Sequence, residues 1–417
     1  MIRATYLVET PCPIADVAAM MAGEQSAGTF VRVEGETDEL RARFGARVVS
    51  TEQVGESASP SLRSAWAERK GLLGPRGIYR VTIDYPEDNV GVNLPNLAAV
   101  VAGNLYDLGE VTGLKLVDVR LRPDYRDRYE LPSLGIAGTR KATGVTVRPI
   151  FGTIIKPNIG LAPDEIAALV LRLAEAGADF VKDDEIAGTH SHAPVDARIR
   201  AVMEAVRRHR DHTGKLVMVA FNITDETDAM RRHADLIEGE EGSCAMVSLN
   251  WCGLSAVQTL RRHTPLAIHG HRNGFGGMGR HPLLGMGVQA YQTLYRLAGI
   301  DHMHVHGMDG KFADLEQDVT EAARHCLTPL SRQDEVMPVF SSGQWAGTLP
   351  KTLEAVGSND LMFLCGGGIM AHPGGPAAGL ASLRQAHEAT LRGLPLAEAS
   401  EMPELTQALA SFGTLHA

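Results

Sequence analysis

From about residue 147 to residue 365, eight short apolar runs alternate with amphipathic stretches, and this leaves few folds open. The runs are 147–155, 179–183, 216–223, 245–249, 266–271, 302–306, 337–341 and 361–365. Between them lie helical patterns such as 163–176, where Ile166, Leu169, Val170 and Leu173 share one face. Others span 197–208, 254–262, 288–297, 312–326 and 349–356, and a last one, 380–391, follows the eighth run. Continuous apolar strands separated by helices predict parallel βα units buried on both faces. Eight units over roughly 250 residues is the size of a (β/α)8 TIM barrel. An open doubly wound sheet is the alternative, but no Gly-x-Gly-x-x-Gly follows the first run.

The first part of the chain reads differently. Segments 4–8, 29–33, 46–51, 77–83 and 115–121 look like strands with few crossover helices, which predicts a small α+β domain over 1–125. The barrel is expected over 126–417, entered through the Arg-, Pro- and Gly-rich segment 121–143. The fold class expected is therefore α/β, an N-terminal α+β domain followed by a (β/α)8 barrel. A formal charge of -10 and no basic stripe argue against nucleic acid as a partner. No apolar run reaches the roughly 18 residues of a membrane span, and 1–6 lacks a signal-peptide core, so a cytoplasmic location is expected. Five scattered cysteines (Cys12, Cys244, Cys252, Cys326 and Cys365) lack metal or redox spacing and read as reduced thiols.

In such a barrel the functional residues sit at the C-terminal strand ends. Those ends are polar here. The first passes into Lys156-Pro157-Asn158, the second into Lys182-Asp183-Asp184-Glu185, and the third ends near Asn222. The fifth ends in His269-Gly270-His271-Arg272-Asn273, and the sixth reads His302-Met303-His304-Val305-His306. The seventh runs into Ser341-Ser342-Gly343 and the eighth into Gly366-Gly367-Gly368. A lysine amine can take up CO2 as a carbamate. With Asp184 and Glu185 it would form an all-oxygen site for Mg2+, although a salt-bridge cluster would use the same residues. Glycines 343, 366 and 367 would let backbone N–H groups approach a phosphate. Arg272, His304 and Ser341 could bind a second anion, a carboxylate or hydroxyls. Lys156 is a candidate acid/base, and His269 and His306 read as supporting residues.

These motifs resemble the RuBisCO large subunit. Gly-Thr-Ile-Ile-Lys156-Pro, Phe-Val-Lys182-Asp-Asp-Glu185, His-Gly-His271-Arg272, Asp-His-Met-His304 and Cys-Gly-Gly-Gly-Ile-Met-Ala-His372-Pro follow that family's order and spacing. Near the N-terminus, Glu24-Gln25-Ser26-Ala27-Gly28-Thr29-Phe30 and Gly103-Asn104 resemble segments that reach a neighbouring subunit's site. The resemblance implies a homodimer, or an assembly of dimers, in which Glu24, Thr29 and Asn104 complete the partner's site. It implies that Lys182 is carbamylated and binds Mg2+ with Asp184 and Glu185, that Lys156 is the enolisation acid/base, and that His271 moves a proton at a substrate hydroxyl. It implies one phosphate site at Gly343, Gly366 and Gly367 with Thr29, and a second at Arg272 and His304 with Ser341 nearby.

The departures bear on the reaction. Carboxylases read Lys-Pro-Lys after the first strand, and this chain reads Lys156-Pro157-Asn158. Phe275 stands where they place a histidine. Lys311, a candidate catalytic residue, aligns without gaps with the lysine of the loop that follows their sixth strand, but in the different setting His306-Gly307-Met308-Asp309-Gly310-Lys311. The chain therefore resembles a RuBisCO-like protein rather than a true carboxylase. The strand-five and strand-six motifs and Pro-Val-Phe-Ser-Ser-Gly-Gln resemble the branch that acts on 3-oxo-isoapionate 4-phosphate. That branch implies a carbon–carbon lyase of carbohydrate catabolism working through an enediolate, as decarboxylase or transcarboxylase/hydrolase. The alternatives are the enolase or isomerase chemistry of methylthio-ketose phosphates, carboxylation itself, and a non-catalytic scaffold.

Overall fold

The structure is a computed structural model that describes residues 1–28, 33–331, 333–399 and 401–413. The expected strand 29–33 falls almost wholly outside them. The described strands are β1 (Ile2–Thr10), β2 (Arg47–Ser57), β3 (Arg76–Tyr85), β4 (Gly113–Arg120), β5 (Ile150–Ile154), β6 (Phe180–Lys182), β7 (Met218–Asn222), β8 (Cys244–Ser248), β9 (Ala267–His271), β10 (Leu284–Met286), β11 (His302–His306), β12 (Met337–Phe340) and β13 (Met362–Leu364). They fall into two compact units. One comprises Met1–Tyr129, Gly274–Ala298 and Leu330–Arg332, and the other Glu130–Asn273, Gly299–Pro329 and Gln333–Ala417.

The first unit is built on a five-stranded sheet in the order β10-β4-β1-β3-β2. In β1 the residues Ile2, Ala4, Tyr6 and Val8 are fully buried at the two-residue period of a strand with one face on the core. β1 lies antiparallel between β3 and β4. β10 is an addition from far along the sequence, pairing parallel to β4 with Leu284 opposite Leu114 and Met286 opposite Leu116. Tyr106 and Lys115 hold it, donating to the carbonyls of Gly285 (2.7 Å) and Gly279 (2.6 Å). Gly285 has φ +87, and a Cβ there would collide with the Met278 carbonyl, so only glycine fits. Residues 274–298, including the expected helix 288–297, thus belong with the first unit and not with the barrel helices.

The second unit holds the closed parallel barrel β5-β6-β7-β8-β9-β11-β12-β13. Its eight strands coincide with the eight apolar runs, trimmed by a few residues at the ends. The interior is filled by Ile150, Phe180, Met218, Met246, Ala267, Val339 and Leu364, among others. Because side chains alternate along a strand, residues two and four further on face the same way. That places Lys182 after Phe180, and His269 and His271 after Ala267, on the face that fills the barrel.

The helix Pro163–Glu175 shows why the linking segments fold outside. Pro163 opens it, and Glu165 accepts from the backbone N–H of Ala162 at 2.8 Å. Ile166, Leu169, Val170 and Leu173 are buried on one side, as the 3.6-residue period requires. Gly177, at φ +85, ends it and turns the chain into β6. At the other end of the barrel, buried Asp301 accepts from the backbone N–H groups of Leu134 (2.6 Å), Gly135 (2.9 Å) and Ile268 (2.7 Å), and pairs with Arg261 at 3.0 Å. The cysteines are all free. Among the described residues no helix is long and apolar enough to cross a membrane.

Candidate active site

Lys182 ends β6 at 1% exposure, and its Nζ donates to the Asp183 carbonyl at 2.7 Å. Burial pushes its amine down to about 8, against the pull of Glu185, Asp184 and Asp183, with Lys156 adding to the fall. An ordinary lysine is almost wholly protonated near neutrality, whereas this one holds a sizeable neutral fraction. Asp184 is buried and meets Lys156 Nζ at 2.8 Å through Oδ2. The other donor bond of Lys156 goes to Asn158 Oδ1 at 2.6 Å. Two lysines and two carboxylates from the ends of β5 and β6 therefore form one cluster.

The backbone carrying Asp184 and Glu185 is clamped from the next strand. Asn222, at the end of β7, donates through Nδ2 to the carbonyls of Asp184 and Glu185, both at 3.1 Å. Its amide orientation is settled because Oδ1 accepts from the backbone and hydroxyl of Thr224 at 3.1 and 2.7 Å. Below it, Asp183 Oδ2 accepts from the Asn222 backbone at 2.9 Å and pairs with Arg198 at 3.1 Å. Burial pushes the Asp183 carboxyl upward, while Arg198 acts to keep it ionised. No motif in the sequence singles out Arg198. Its signal was an acidic residue at a buried strand end, which needs a cation from the helix that follows.

Across the mouth, His271 Nε2 lies 3.6 Å from Glu185 Oε2. The backbone N–H of Asn273 donates to His271 Nδ1 at 3.3 Å, so the neutral ring carries its proton on Nε2, facing Glu185. Burial first, then the Lys182 charge, holds His271 well below its ordinary value. Arg272 is buried, donates to the Val305 carbonyl at 3.2 Å and lies 3.5 Å from Asp314. Asp314 also bonds His306, on a residue at φ +71. Burial raises the Asp314 carboxyl, but His306 and Arg272 overcome it and pull it down to about 2. Asp314 was not foreseen, since it lies in a loop without periodic pattern.

The glycine turns lie on the same rim. Ser342 and Gly343 have φ of +71 and +86, and the Ser342 carbonyl accepts from the Lys311 backbone at 3.3 Å. Gly366 lies against Lys156, whose Cε would be 3.6 Å from an added Cβ, and an added Cβ on Gly367 would meet nothing within 4 Å. Lys311 points elsewhere, with Nζ 5.3 Å from the Phe312 ring centroid. His304 and Ser341 are buried beside each other, with Nδ1 and Oγ 3.1 Å apart. In the first unit, Asn104 Nδ2 donates to Glu24 Oε1 at 3.4 Å. Thr29 lies outside the described residues.

The fit to a hard divalent ion follows from this donor set. Among the described residues no three His, Cys, Asp or Glu side chains converge into a metal site. Asp184 and Glu185 supply two oxygen donors, and a third is gained only if Lys182 becomes an oxygen ligand. A buried lysine with a depressed amine beside two carboxylates suits that change.

Comparison with known proteins identifies the scaffold. The family model of the ribulose bisphosphate carboxylase large chain catalytic domain matches residues 135–412, and that of its N-terminal domain matches residues 4–125. The chain belongs to the ribulose bisphosphate carboxylase large-chain family. Within it, this RuBisCO-like chain is 45% identical to a 3-oxo-isoapionate-4-phosphate transcarboxylase/hydrolase of Xanthobacter autotrophicus, covering 98% of each chain. It is 39% identical to a 3-oxo-isoapionate-4-phosphate decarboxylase of Rhizobium rhizogenes, covering 99% of this chain and 98% of the relative. The crystal structure of a rubisco-like protein from Burkholderia fungorum superposes with a TM-score of 0.94 at 56% identity, over 99% of both chains. Both expectations, the RuBisCO-like resemblance and the N-terminal domain with a (β/α)8 barrel, hold.

Proposed function

We propose that this RuBisCO-like enzyme cleaves a carbon–carbon bond of 3-oxo-isoapionate 4-phosphate, releasing its carboxyl group as CO2. Support comes from the two relatives named for that substrate and from the residues gathered at the barrel mouth. One observation carries the reading: Lys156 sits 2.8 Å from Asp184 with the neutral amide of Asn158 on its other side. Loss of CO2 from a β-keto acid needs no base to begin. It needs the electron pair of the broken bond to be accepted by the ketone, and a proton donor to finish. An ion-paired ammonium is such a donor, and a second lysine in place of Asn158 is not required.

The same reading assigns the remaining roles. Lys182 as a carbamate, with Asp184 and Glu185, would hold Mg2+, which when bound supplies a Lewis acid for the ketone oxygen. Lys156 delivers a proton to the carbon that lost CO2, and the neutral His271, with its Nε2–H on the opposite side at Glu185, hydrogen-bonds a substrate oxygen. Backbone N–H groups at Gly343, Gly366 and Gly367, with Thr29, receive the phosphate. Arg272 receives the polar acidic end, and Ser341, backed by His304, receives a substrate hydroxyl beside it. Lys311, whose Nζ lies over the Phe312 ring, is the remaining candidate catalytic lysine. Glu24, Thr29 and Asn104 act in a partner subunit's site, in a homodimer or an assembly of dimers.

The test is incubation of CO2- and Mg2+-activated enzyme with 3-oxo-isoapionate 4-phosphate in D2O. The expected outcome is stoichiometric CO2 and a tetrulose phosphate carrying one deuterium at the former carboxyl-bearing carbon. A second reading, transfer of the carboxyl group within the substrate followed by hydrolysis, is favoured by the 45% identical relative. It gives a two-carbon acid and no CO2. Inertness toward this substrate together with tautomerisation of a methylthio-ketose phosphate would reject both.

A further inference from the structure

Five polar side chains form one continuous hydrogen-bonded file through the barrel interior. Thr139 Oγ1 lies 2.9 Å from His302 Nε2. His302 Nδ1 lies 3.2 Å from His269 Nδ1, and His269 Nε2 lies 2.8 Å from His304 Nε2. His304 Nδ1 lies 3.1 Å from Ser341 Oγ at the rim. All five residues are buried, the most exposed being Ser341 at 6%. Burial holds the three imidazoles below their ordinary range, His302 down to about 3. Phe180 stacks on His269 at 5.2 Å.

A neutral imidazole has one N–H donor and one bare acceptor nitrogen. A file of three such rings joined nitrogen to nitrogen has only two self-consistent patterns, one the reverse of the other. The first link decides between them. Thr139 has a single hydroxyl proton, and it is committed to the Gly135 carbonyl one helical turn back. Thr139 Oγ1 must therefore accept from His302 Nε2–H. His302 Nδ1 is then bare and accepts from His269 Nδ1–H. His269 Nε2 is bare and accepts from His304 Nε2–H. His304 Nδ1 is bare and accepts the hydroxyl proton of Ser341.

We propose that Thr139 is a positioning residue that sets the tautomers of His302, His269 and His304, and so holds Ser341 as a hydrogen-bond acceptor toward the site. Both nitrogens of His304 are occupied within the file, so it offers no N–H to an anion. Ser341, its proton turned inward, presents lone pairs. The ligand group that it meets is a donor, a hydroxyl, rather than a phosphate or carboxylate oxygen. This last consequence rests on the substrate reading above, whereas the tautomers do not.

The test uses the full-length protein labelled with 15N-histidine, its rings assigned through His269→Gln, His302→Gln and His304→Gln. Two-bond 1H–15N correlation spectra should show protons on His302 Nε2, His269 Nδ1 and His304 Nε2. Thr139→Val removes the acceptor at nearly constant volume and should reverse all three. Thr139→Ser should restore the original pattern. A wild-type spectrum with His304 protonated on Nδ1 overturns the proposal, and so does a folded Thr139→Val that keeps the wild-type pattern. Should Thr139→Val not fold, Thr139→Ala carries the same comparison, and the wild-type spectrum alone still decides the direction. Where turnover is measurable, reversing the file should raise KM by about tenfold, with recovery in Thr139→Ser. Absence of turnover on the proposed substrate would count against that substrate and leave the tautomer result standing.

Discussion

Gly367 and Gly368 are neighbours in sequence and opposites in space. A Cβ on Gly367 meets nothing within 4 Å, while one on Gly368 would lie 2.7 Å from both the Gln344 carbonyl oxygen and Trp345 Cβ. Gly368 is thus a packing glycine, and Gly367 faces the room where a ligand would sit. Gly367→Val should leave the melting temperature nearly unchanged and raise KM for a phosphorylated substrate at least tenfold, whereas Gly368→Ala should destabilise by about 1–3 kcal/mol. Steady-state kinetics and thermal unfolding of the two variants check this. Equal effects of both variants on stability would remove the phosphate assignment at Gly367.

Lys182 should be activated by CO2 on the alkaline side of its shifted range. With the amine at about 8, the reactive neutral fraction is roughly one tenth at pH 7 and one half at pH 8. At fixed dissolved CO2 the activation rate should therefore rise about fivefold between those values and level off above about pH 9. A 13C carbamate signal followed against pH measures it. A rate still climbing through pH 10 would mean that the amine is not depressed.

The buried imidazoles should make the barrel acid-labile. His302 is depressed to about 3, so between roughly pH 6.5 and 3 the unfolded chain binds a proton that the folded chain refuses. Its contribution is complete above the unfolded value and declines as pH falls through that window. From pH 7.5 to 5.5 it amounts to about 1.4 kcal/mol, with His269, His271 and His304 shifted in the same direction. Denaturant unfolding at the two pH values should show a larger loss for wild type than for His302→Gln.

If Glu24, Thr29 and Asn104 serve a partner's site, two dead variants can rescue each other. Lys156→Ala and Asn104→Ala homodimers should each be inactive. Refolded together, they place both lesions in one site of a mixed dimer and leave the other intact. Random pairing then gives about one quarter of wild-type activity. A mixture that stays at background would assign Asn104 to its own chain's site.

The legible part of this molecule was the part with a period. Eight apolar runs gave eight barrel strands because each strand is buried on both faces, and the polar residues that end them fell on one rim for the same reason. What escaped was short or relational. β10 has three residues, Leu284–Met286, too few to show alternation, and it pairs with β4, which precedes it by most of the barrel. Thr139 looks like any helical threonine until His302 is found 2.9 Å away. The Asn222 clamp depends on Thr224 fixing one amide orientation, which no spacing rule encodes. Asp183 read as one more acid in a cluster, while in the fold it is the buried mate of Arg198.

The parallel pairing of β10 with β4 also orders events at the ribosome. The sheet of the first unit is translated early, yet its β4 edge stays open until Leu284–Met286 emerges, after most of the barrel strands have been made. During that interval a nascent chain exposes an unpaired strand edge, the kind of surface that recruits chaperones or another copy of itself. A chain cut after Tyr129 would keep that edge permanently, so the first unit is better expressed with residues 274–298 grafted on than by itself.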